Sequence, residues 1–298
     1  MCSRLEQNPS RSALRPLQER LAFQRTAPQS EDLEIQFGST ELRVPPRVSI
    51  ILPTYNERDN IEPMILSILR QDLNVAEVIV VDDNSPDGTS TFVKTISLSI
   101  PRVRVISRRY KRGLASAVAE GVSAASGDII AWMDCDFSHP VELLSTLLET
   151  LDEADIALAS RYVRGGGSNG PLGRKIASLG ACLVSRVLLG RSVKDYTSGY
   201  VAVKKAVLEK VPIVNAGLLD GRLGYGDYFF AFLYLAKKAG YHTHEVPYVY
   251  KDRVRGSSKV INSFFDFFLH GTSYLTSMTR LRLGRFESLT PIGLCSTK

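Results

Sequence analysis

Ile129-Ile130-Ala131-Trp132-Met133-Asp134-Cys135-Asp136 is an apolar run that ends in two carboxylates separated by one residue. Successive apolar positions without a helical period read as a strand buried on both faces, the kind found in parallel sheets. In such sheets ligands bind beyond the carboxyl ends of the strands. Asp134 and Asp136 therefore stand where a ligand is met. Two carboxylates at this spacing can hold a hard divalent cation, Mg²⁺ or Mn²⁺, and leave coordination positions for phosphate oxygens. Taken alone, the same pair would equally serve as turn or cap residues.

The flanking sequence repeats the pattern. Val48–Leu52, Glu77–Val81, Val103–Ile106 and Ile156–Ser160 are further apolar runs. Helical spacing separates them over Asn60–Arg70, Thr89–Leu98, Leu114–Ala125 and Val141–Leu151. Strands alternating with helices predict an α/β fold with a mostly parallel sheet and helices on both faces. After residue 163 the alternation loosens. Gly165-Gly166-Gly167 opens a loop, helices are expected over 174–189 and 226–240, and a strand over Val246–Tyr250. From Ile261 the apolar residues fall on one face of an amphipathic helix. Residues 1–46 show no sustained period and read as a disordered tail closed by Pro45-Pro46. The expected organisation is a tail over 1–46, a catalytic domain over 47–260, and an amphipathic, basic segment over 261–298 that contacts a membrane or a partner.

Net charge is +6, and residues 251–298 carry eight Lys and Arg against three Asp and Glu. A basic end suits phosphates of a ligand or of a membrane surface, though a solvated tail has the same composition. Cys2, Cys135, Cys182 and Cys295 lack metal-ligand or redox spacing and read as free thiols in a reducing compartment. No apolar stretch reaches the roughly 20 residues of a membrane span.

The other strand ends carry chemistry as well. Tyr55 can stack on a base, and Glu57 can accept hydrogen bonds from base or ribose or favour the start of a helix. Asp82-Asp83 could cap a turn or form the acidic pocket of a phosphoacceptor receiver. A receiver also needs a lysine after a later strand, where Ser160-Arg161 stands. Arg161, Arg174 and Lys175 flank the glycine loop, and Arg253, Arg255 and Lys259 bracket Gly256-Ser257-Ser258. Two such cationic groups could serve two phosphate-bearing ligands.

Seven blocks, VSIILPTYNE (48–57), VIVVDDNSPDGT (78–89), KRGLASAV (111–118), GDIIAWMDCDFSHP (127–140), SRYVRGG (160–166), GRKIAS (173–178) and RVRGSSK (253–259), resemble family 2 glycosyltransferases. Within that family they are most similar to the polyprenol-phosphate hexosyltransferases, the dolichol-phosphate mannosyltransferases among them. The resemblance covers about residues 47–260 and implies a GT-A nucleotide-sugar-binding fold. It implies that Pro53, Tyr55, Glu57, Val81 and Asp83 hold the nucleoside of a donor such as GDP-mannose. Asp134, Cys135 and Asp136 would hold the metal and the diphosphate, Arg253 and Lys259 would close over that diphosphate, and Arg161, Arg174 and Ser178 would meet the lipid phosphate. Three departures stand out. Some relatives carry a metal-binding glutamine where this chain has Ser138, Asp227 is the only acid of the 224–230 block, and some relatives continue into transmembrane helices.

The implied acceptor is polyprenyl or dolichyl phosphate, and its ionised phosphate needs no general base. A hydroxyl acceptor would need one, and Asp195 is the best candidate. The expected catalytic groups are thus Asp136, Arg161 and Asp195, in an inverting, metal-dependent transfer. Expected partners are the nucleotide-sugar, the lipid phosphate and a small membrane-embedded subunit, with no nucleic acid. The implied location is the cytosolic face of a membrane, that of the endoplasmic reticulum in a eukaryote. UDP-glucose as donor, a sugar hydroxyl as acceptor, or a silent nucleotide-sugar-binding scaffold are the competing expectations.

Overall fold

The computed structural model describes residues 45–110, 113–211, 227–252 and 274–283. The tail up to residue 44, Arg253, Lys259 and the start of the amphipathic segment at Ile261 lie outside the described residues. The apolar runs form strands β1 (Val48–Thr54), β2 (Val75–Asp82), β3 (Val103–Ser107), β4 (Ile129–Trp132) and β5 (Ile156–Ser160). Between them lie helices α1 (Arg58–Leu69), α2 (Thr89–Ser99), α3 (Leu114–Ala124) and α4 (Leu143–Thr150). Side chains of a strand alternate between faces. In β1 and β2, Ile50, Ile51, Leu52, Val78, Ile79 and Val80 are all fully buried, so both faces of the sheet are covered.

The chain continues through β6 (Gly167–Ser168), α5 (Leu172–Leu189), β7 (Val201–Lys204), α6 (Lys205–Lys210), α7 (Asp227–Lys238), β8 (Thr243–Pro247) and β9 (Val249–Tyr250), and residues 274–282 form α8. The seven-stranded sheet has the order β3-β2-β1-β4-β7-β5-β8. β7 runs antiparallel to both β4 and β5, while every other pair in the sheet is parallel. Two expectations need correcting. β7 was not anticipated, because four residues, Val201-Ala202-Val203-Lys204, make too short a run to stand out. The strand expected over Val246–Tyr250 is two strands: β8 joins the main sheet and β9 pairs with β6.

Helix and sheet approach closely at α3. A Cβ on Gly121 would lie 2.5 Å from Ile51 Cγ2, so any side chain there would push the helix off β1. On this face Trp132 meets Phe229 and Phe232 of α7 edge to face, at ring separations of 6.3 and 5.9 Å. α8 adds Met278 and Leu281 to the same core.

Candidate active site

Three loops at the carboxyl ends of β1, β2 and β4 converge, and each contains a non-glycine residue with left-handed backbone: Asn56, Asn84 and Phe137. Asparagine tolerates that region, whereas Phe137 at φ 61° is a strained position of the kind that gathers at functional sites. The first two loops are stitched together. Ser85 Oγ accepts from Asn56 N at 2.9 Å, Asp87 Oδ2 from Arg58 N at 3.0 Å, and Thr89 Oγ1 from Glu57 N at 3.1 Å. The block 82–89 thereby sets the backbone that carries Tyr55 and Glu57. The Glu57 carboxylate also accepts from Asn60 Nδ2 at 2.7 Å.

Asp83 is anchored on its other side. Its carboxylate pairs with the buried guanidinium of Arg108 and accepts from Gly113 N at 2.9 Å. Arg108 in turn donates to Ser116 Oγ at 2.6 Å and Gly113 O at 2.9 Å. Gly113, at φ 88° and ψ 168°, occupies a backbone region that residues with a Cβ avoid.

At the end of β4, Asp134 N donates to His139 Nδ1 at 3.1 Å. The His139 ring is buried and stacks on Tyr200 with centroids 4.9 Å apart. Asp136 Oδ1 accepts from Ser138 N at 3.0 Å, which closes the turn at Phe137. Ser138 Oγ is buried and has no hydrogen-bond partner among the described residues. Lys251 N donates to Ser138 O at 3.4 Å, so the chain that leads to 253–259 passes this turn.

These loops border a cleft of about 300 Å³, within the range of small-molecule sites. Pro53, Tyr55, Glu57, Asp83, Asp134, Cys135 and Asp136 line it, as expected from the sequence. Val81 does not: its side chain is fully buried in the core one residue before the end of β2. Sequence reasoning had assigned no role to Gly113, Trp132, Thr197–Gly199 or Tyr228–Phe230, which also line the cleft. Gly113, Trp132 and Tyr228–Phe230 fall in blocks 111–118, 127–140 and 224–230 that stand out by resemblance, whereas Thr197–Gly199 belong to none of these blocks.

Thr197 connects the cleft to a second group. Arg161 Nε and Nη2 donate to the two carboxylate oxygens of Asp195 at 2.8 and 2.7 Å, and Nη2 also donates to Thr197 Oγ1 at 2.7 Å. Ser178 Oγ lies 3.1 Å from Thr197 Oγ1 and accepts from Tyr162 OH at 2.9 Å. Cys182 Sγ lies 3.3 Å from Thr197 Oγ1, and burial pushes its thiol up to about 12. Burial raises the Asp195 carboxyl, but the hydrogen bonds and charge of Arg161 outweigh it and hold the group below its ordinary value. Asp195, expected as a general base, is thus fully buried with both oxygens engaged. Arg161 stays cationic: burial opposes its charge, and Asp195 more than compensates.

Arg174, on the first turn of α5, is exposed and reaches Tyr250 OH and Asp252 Oδ1 at 3.4 Å. Tyr250 links the two groups electrically. Burial raises its phenol, the Asp136 and Asp134 carboxylates raise it further, and Arg174 lowers it. Arg253 and Lys259 lie outside the described residues.

The model of glycosyl transferase family 2 matches residues 49–211. The chain is 39% identical over 232 residues to a dolichol-phosphate mannosyltransferase of Pyrococcus furiosus, covering 75% of this chain and 62% of that protein's length. It is 37% identical to a polyprenol monophosphomannose synthase of Mycolicibacterium smegmatis, covering 73% of this chain and 82% of the relative. Among solved structures, a mannosyltransferase from Pyrobaculum calidifontis in complex with GDP-Man and Mn²⁺ matches with TM-score 0.54 at 20% identity, covering 84% and 67% of the two chains. Glucosyl-3-phosphoglycerate synthase from Mycobacterium tuberculosis in complex with Mn²⁺, UDP and glucosyl-3-phosphoglycerate matches with TM-score 0.57 at 20% identity, covering 82% of each chain. Strand-end carboxylates, a cleft between them and a buried arginine, and the match over 49–211 agree: the chain belongs to glycosyl transferase family 2 and is a glycosyltransferase with the GT-A fold.

Proposed function

We propose that the chain transfers mannose from GDP-mannose to a polyprenyl phosphate such as dolichyl phosphate, with inversion at the anomeric carbon. The observation that carries this reading is the Arg161 cluster. A guanidinium locked by Asp195 and Thr197, with Ser178 on the same network, presents an oriented cation and hydroxyls beside the cleft. Such a group suits binding a phosphate. It is ill suited to deprotonating a hydroxyl, because Asp195 is spent on Arg161. The relatives named for polyprenol-phosphate and dolichol-phosphate acceptors support the same acceptor class.

The Asp134–Asp136 turn fits a hard divalent cation. It offers oxygen donors, and the buried Oγ of Ser138, without a hydrogen-bond partner among the described residues, lies on the same turn. Among the described residues no three His, Cys, Asp or Glu side chains gather as a closed metal site. The remaining coordination would fall to phosphate oxygens and water, as Mg²⁺ and Mn²⁺ accept. When bound, the cation would neutralise charge on the departing diphosphate.

The protein's own residues orient the reactants. Tyr55, Glu57 and Asp83 hold the nucleoside, and Arg161, Arg174 and Ser178 hold the acceptor phosphate in line with the anomeric carbon. One acceptor oxygen forms the new bond to that carbon. The bond from carbon to the donor diphosphate breaks, and the nucleoside diphosphate leaves with the electron pair. No proton moves, because a phosphate monoester has its second pKa near 6 and is ionised at neutral pH.

A donor panel tests the reading. Full-length protein, polyprenyl phosphate and Mn²⁺ are incubated in turn with labelled GDP-mannose and labelled UDP-glucose. Label from GDP-mannose should enter an organic-extractable, acid-labile product. Product from UDP-glucose alone would overturn the sugar and base, and no organic-phase product from either donor would overturn the acceptor. The acceptor resides in a bilayer, and among the described residues no helix is long and apolar enough to cross one. On this reading the enzyme works at the cytosolic surface of the membrane.

A further inference from the structure

β4 runs out of sheet partners just where its carboxylates begin. Its pairing with β7 ends at Trp132 and Val201, and beyond it Met133 N donates to Ile51 O of β1 at 3.3 Å. Asp134 N comes next, and a side chain five residues on takes it: His139 Nδ1 accepts at 3.1 Å. An accepting Nδ1 carries no proton, so the ring proton sits on Nε2. The ring is 2% exposed and is held on two sides. Tyr200 stacks on it at 4.9 Å with planes 21° apart, and Tyr248 meets it at 5.8 Å with planes 74° apart. The Tyr200 hydroxyl also donates to Pro140 O at 3.1 Å, which ties the residue after His139 to the same aromatic.

We propose that His139 is a positioning residue for the divalent cation, fixing the Asp134 backbone so that this carboxylate meets the ion together with Asp136. The inference rests on the metal reading of the Asp134–Asp136 turn. Division of labour is the first argument. The bond from Ser138 N orients the Asp136 carboxylate, whereas the bond to His139 acts on Asp134. Chemistry is the second. A side chain at this place must lie flat on Tyr200 and accept from a backbone amide. A phenyl or phenol ring would stack but bring no acceptor to the place of Nδ1, and imidazole does both. Leverage is the third. The amide that donates belongs to the ligand residue itself. Without an acceptor it would be relieved by turning the peptide between Met133 and Asp134, which swings the Asp134 side chain away. Groups that orient a metal ligand from behind govern affinity as well as geometry.

The test is Mn²⁺ binding, read from the EPR signal of free Mn²⁺ in titrations of the full chain with GDP or UDP present. The wild type should retain Mn²⁺ beyond what nucleotide alone binds. His139→Phe keeps a ring on Tyr200 and removes the acceptor, and its Mn²⁺ affinity should fall about tenfold. His139→Asn gives up the ring and returns an oxygen to the place of Nδ1. It should hold Mn²⁺ within about threefold of wild type, although its urea midpoint falls. A residue that merely fills the core would give the opposite order, with His139→Phe harmless and His139→Asn defective, and that order would overturn the proposal. So would equal affinity in wild type and both variants. If His139→Phe shows no cooperative urea transition, His139→Gln takes its place. Its amide falls where Nε2 was, so the same loss of affinity is expected. Wild type that retains no Mn²⁺ with either nucleotide would overturn the metal reading and this inference with it. Wild type and His139→Phe that retain it equally would overturn the role of His139 alone, so the two failures are distinguishable.

Discussion

At the end of the cleft that we propose takes the donor, Tyr55, Glu57, Asp83, Asp134 and Asp136 ride on turns at the tips of β1, β2 and β4. At the end that we propose takes the acceptor, Arg161 at the tip of β5 is bound to Asp195, 34 positions later, and through Thr197 to Ser178 on α5. The first end concentrates acid, including a turn with two carboxylates, which on the proposed reading a divalent cation would complete. The second end already pairs its charge internally, so its work is orientation. One end should respond to metal and the other to geometry, and substitutions at the two ends should separate donor from acceptor parameters.

The largest effect is expected from Asp136→Ala. Loss of charge neutralisation at the leaving group should cost about 10³-fold in transfer, measured with saturating acceptor over a Mn²⁺ titration. Wild-type transfer by this variant in Mg²⁺ or Mn²⁺ would break the metal assignment. Next in size, Asp195→Asn strips Arg161 of its counter-charge. Acceptor kcat/KM should fall by about 10² while donor KM holds, a split a general unfolding defect would not produce.

The same substitution has a defined pH signature. The folded pKa of Asp195 lies below its unfolded value. The ion pair therefore contributes stability at every pH above about 4, and that contribution is lost only as pH falls through the folded value. Breaking a buried pair by removing one partner costs about 3 kcal/mol. Urea melts should show the variant destabilised by about that amount at pH 7, with the gap closing below pH 4.

Gly113→Ala should act at the other end. A Cβ at φ 88° costs about 1–2 kcal/mol and loosens the Asp83–Arg108 anchor. Donor KM should rise by about tenfold with acceptor KM unchanged. The smallest effect is in the pH–rate profile. Acceptor kcat/KM should be about fourfold below its plateau at pH 5.5, following the second ionisation of the phosphate monoester. Asp195→Asn should keep that limb, and its disappearance in the variant would restore Asp195 as a base.

The contrast also explains what could be read from the sequence. β1, β2 and β4 are unbroken apolar runs, and the strand-end rule points to the residues after them without tertiary information. Asp83, Asp134 and Asp136 were legible for that reason. Val81 comes with them by resemblance, yet it lies before the end of β2, where both faces of the sheet are covered, and its side chain is buried in the core. The network around Arg161 joins residues from β5, α5 and the loop before β7, and no local pattern announces such a meeting. The same holds for Arg108, whose burial beside Asp83 turns an ordinary surface residue type into an anchor. β7, short and antiparallel, falls between β4 and β5 where alternation alone predicts a parallel neighbour. Leu172, Ile176, Leu179, Leu183 and Val187 on α5 form an apolar stripe with the same spacing as a core-facing stripe, so only its exposure in the fold shows that it faces out.

The most direct test offers two acceptors to the same enzyme. Labelled GDP-mannose and Mn²⁺ are presented with a short-chain prenyl phosphate or with a mannoside bearing only free hydroxyls, and initial rates are compared for wild type and Arg161→Ala. Transfer should go to the phosphate alone and fall by about 10² in the variant. Transfer to the mannoside, or to the phosphate undiminished without Arg161, would contradict a phosphate acceptor oriented by this cluster.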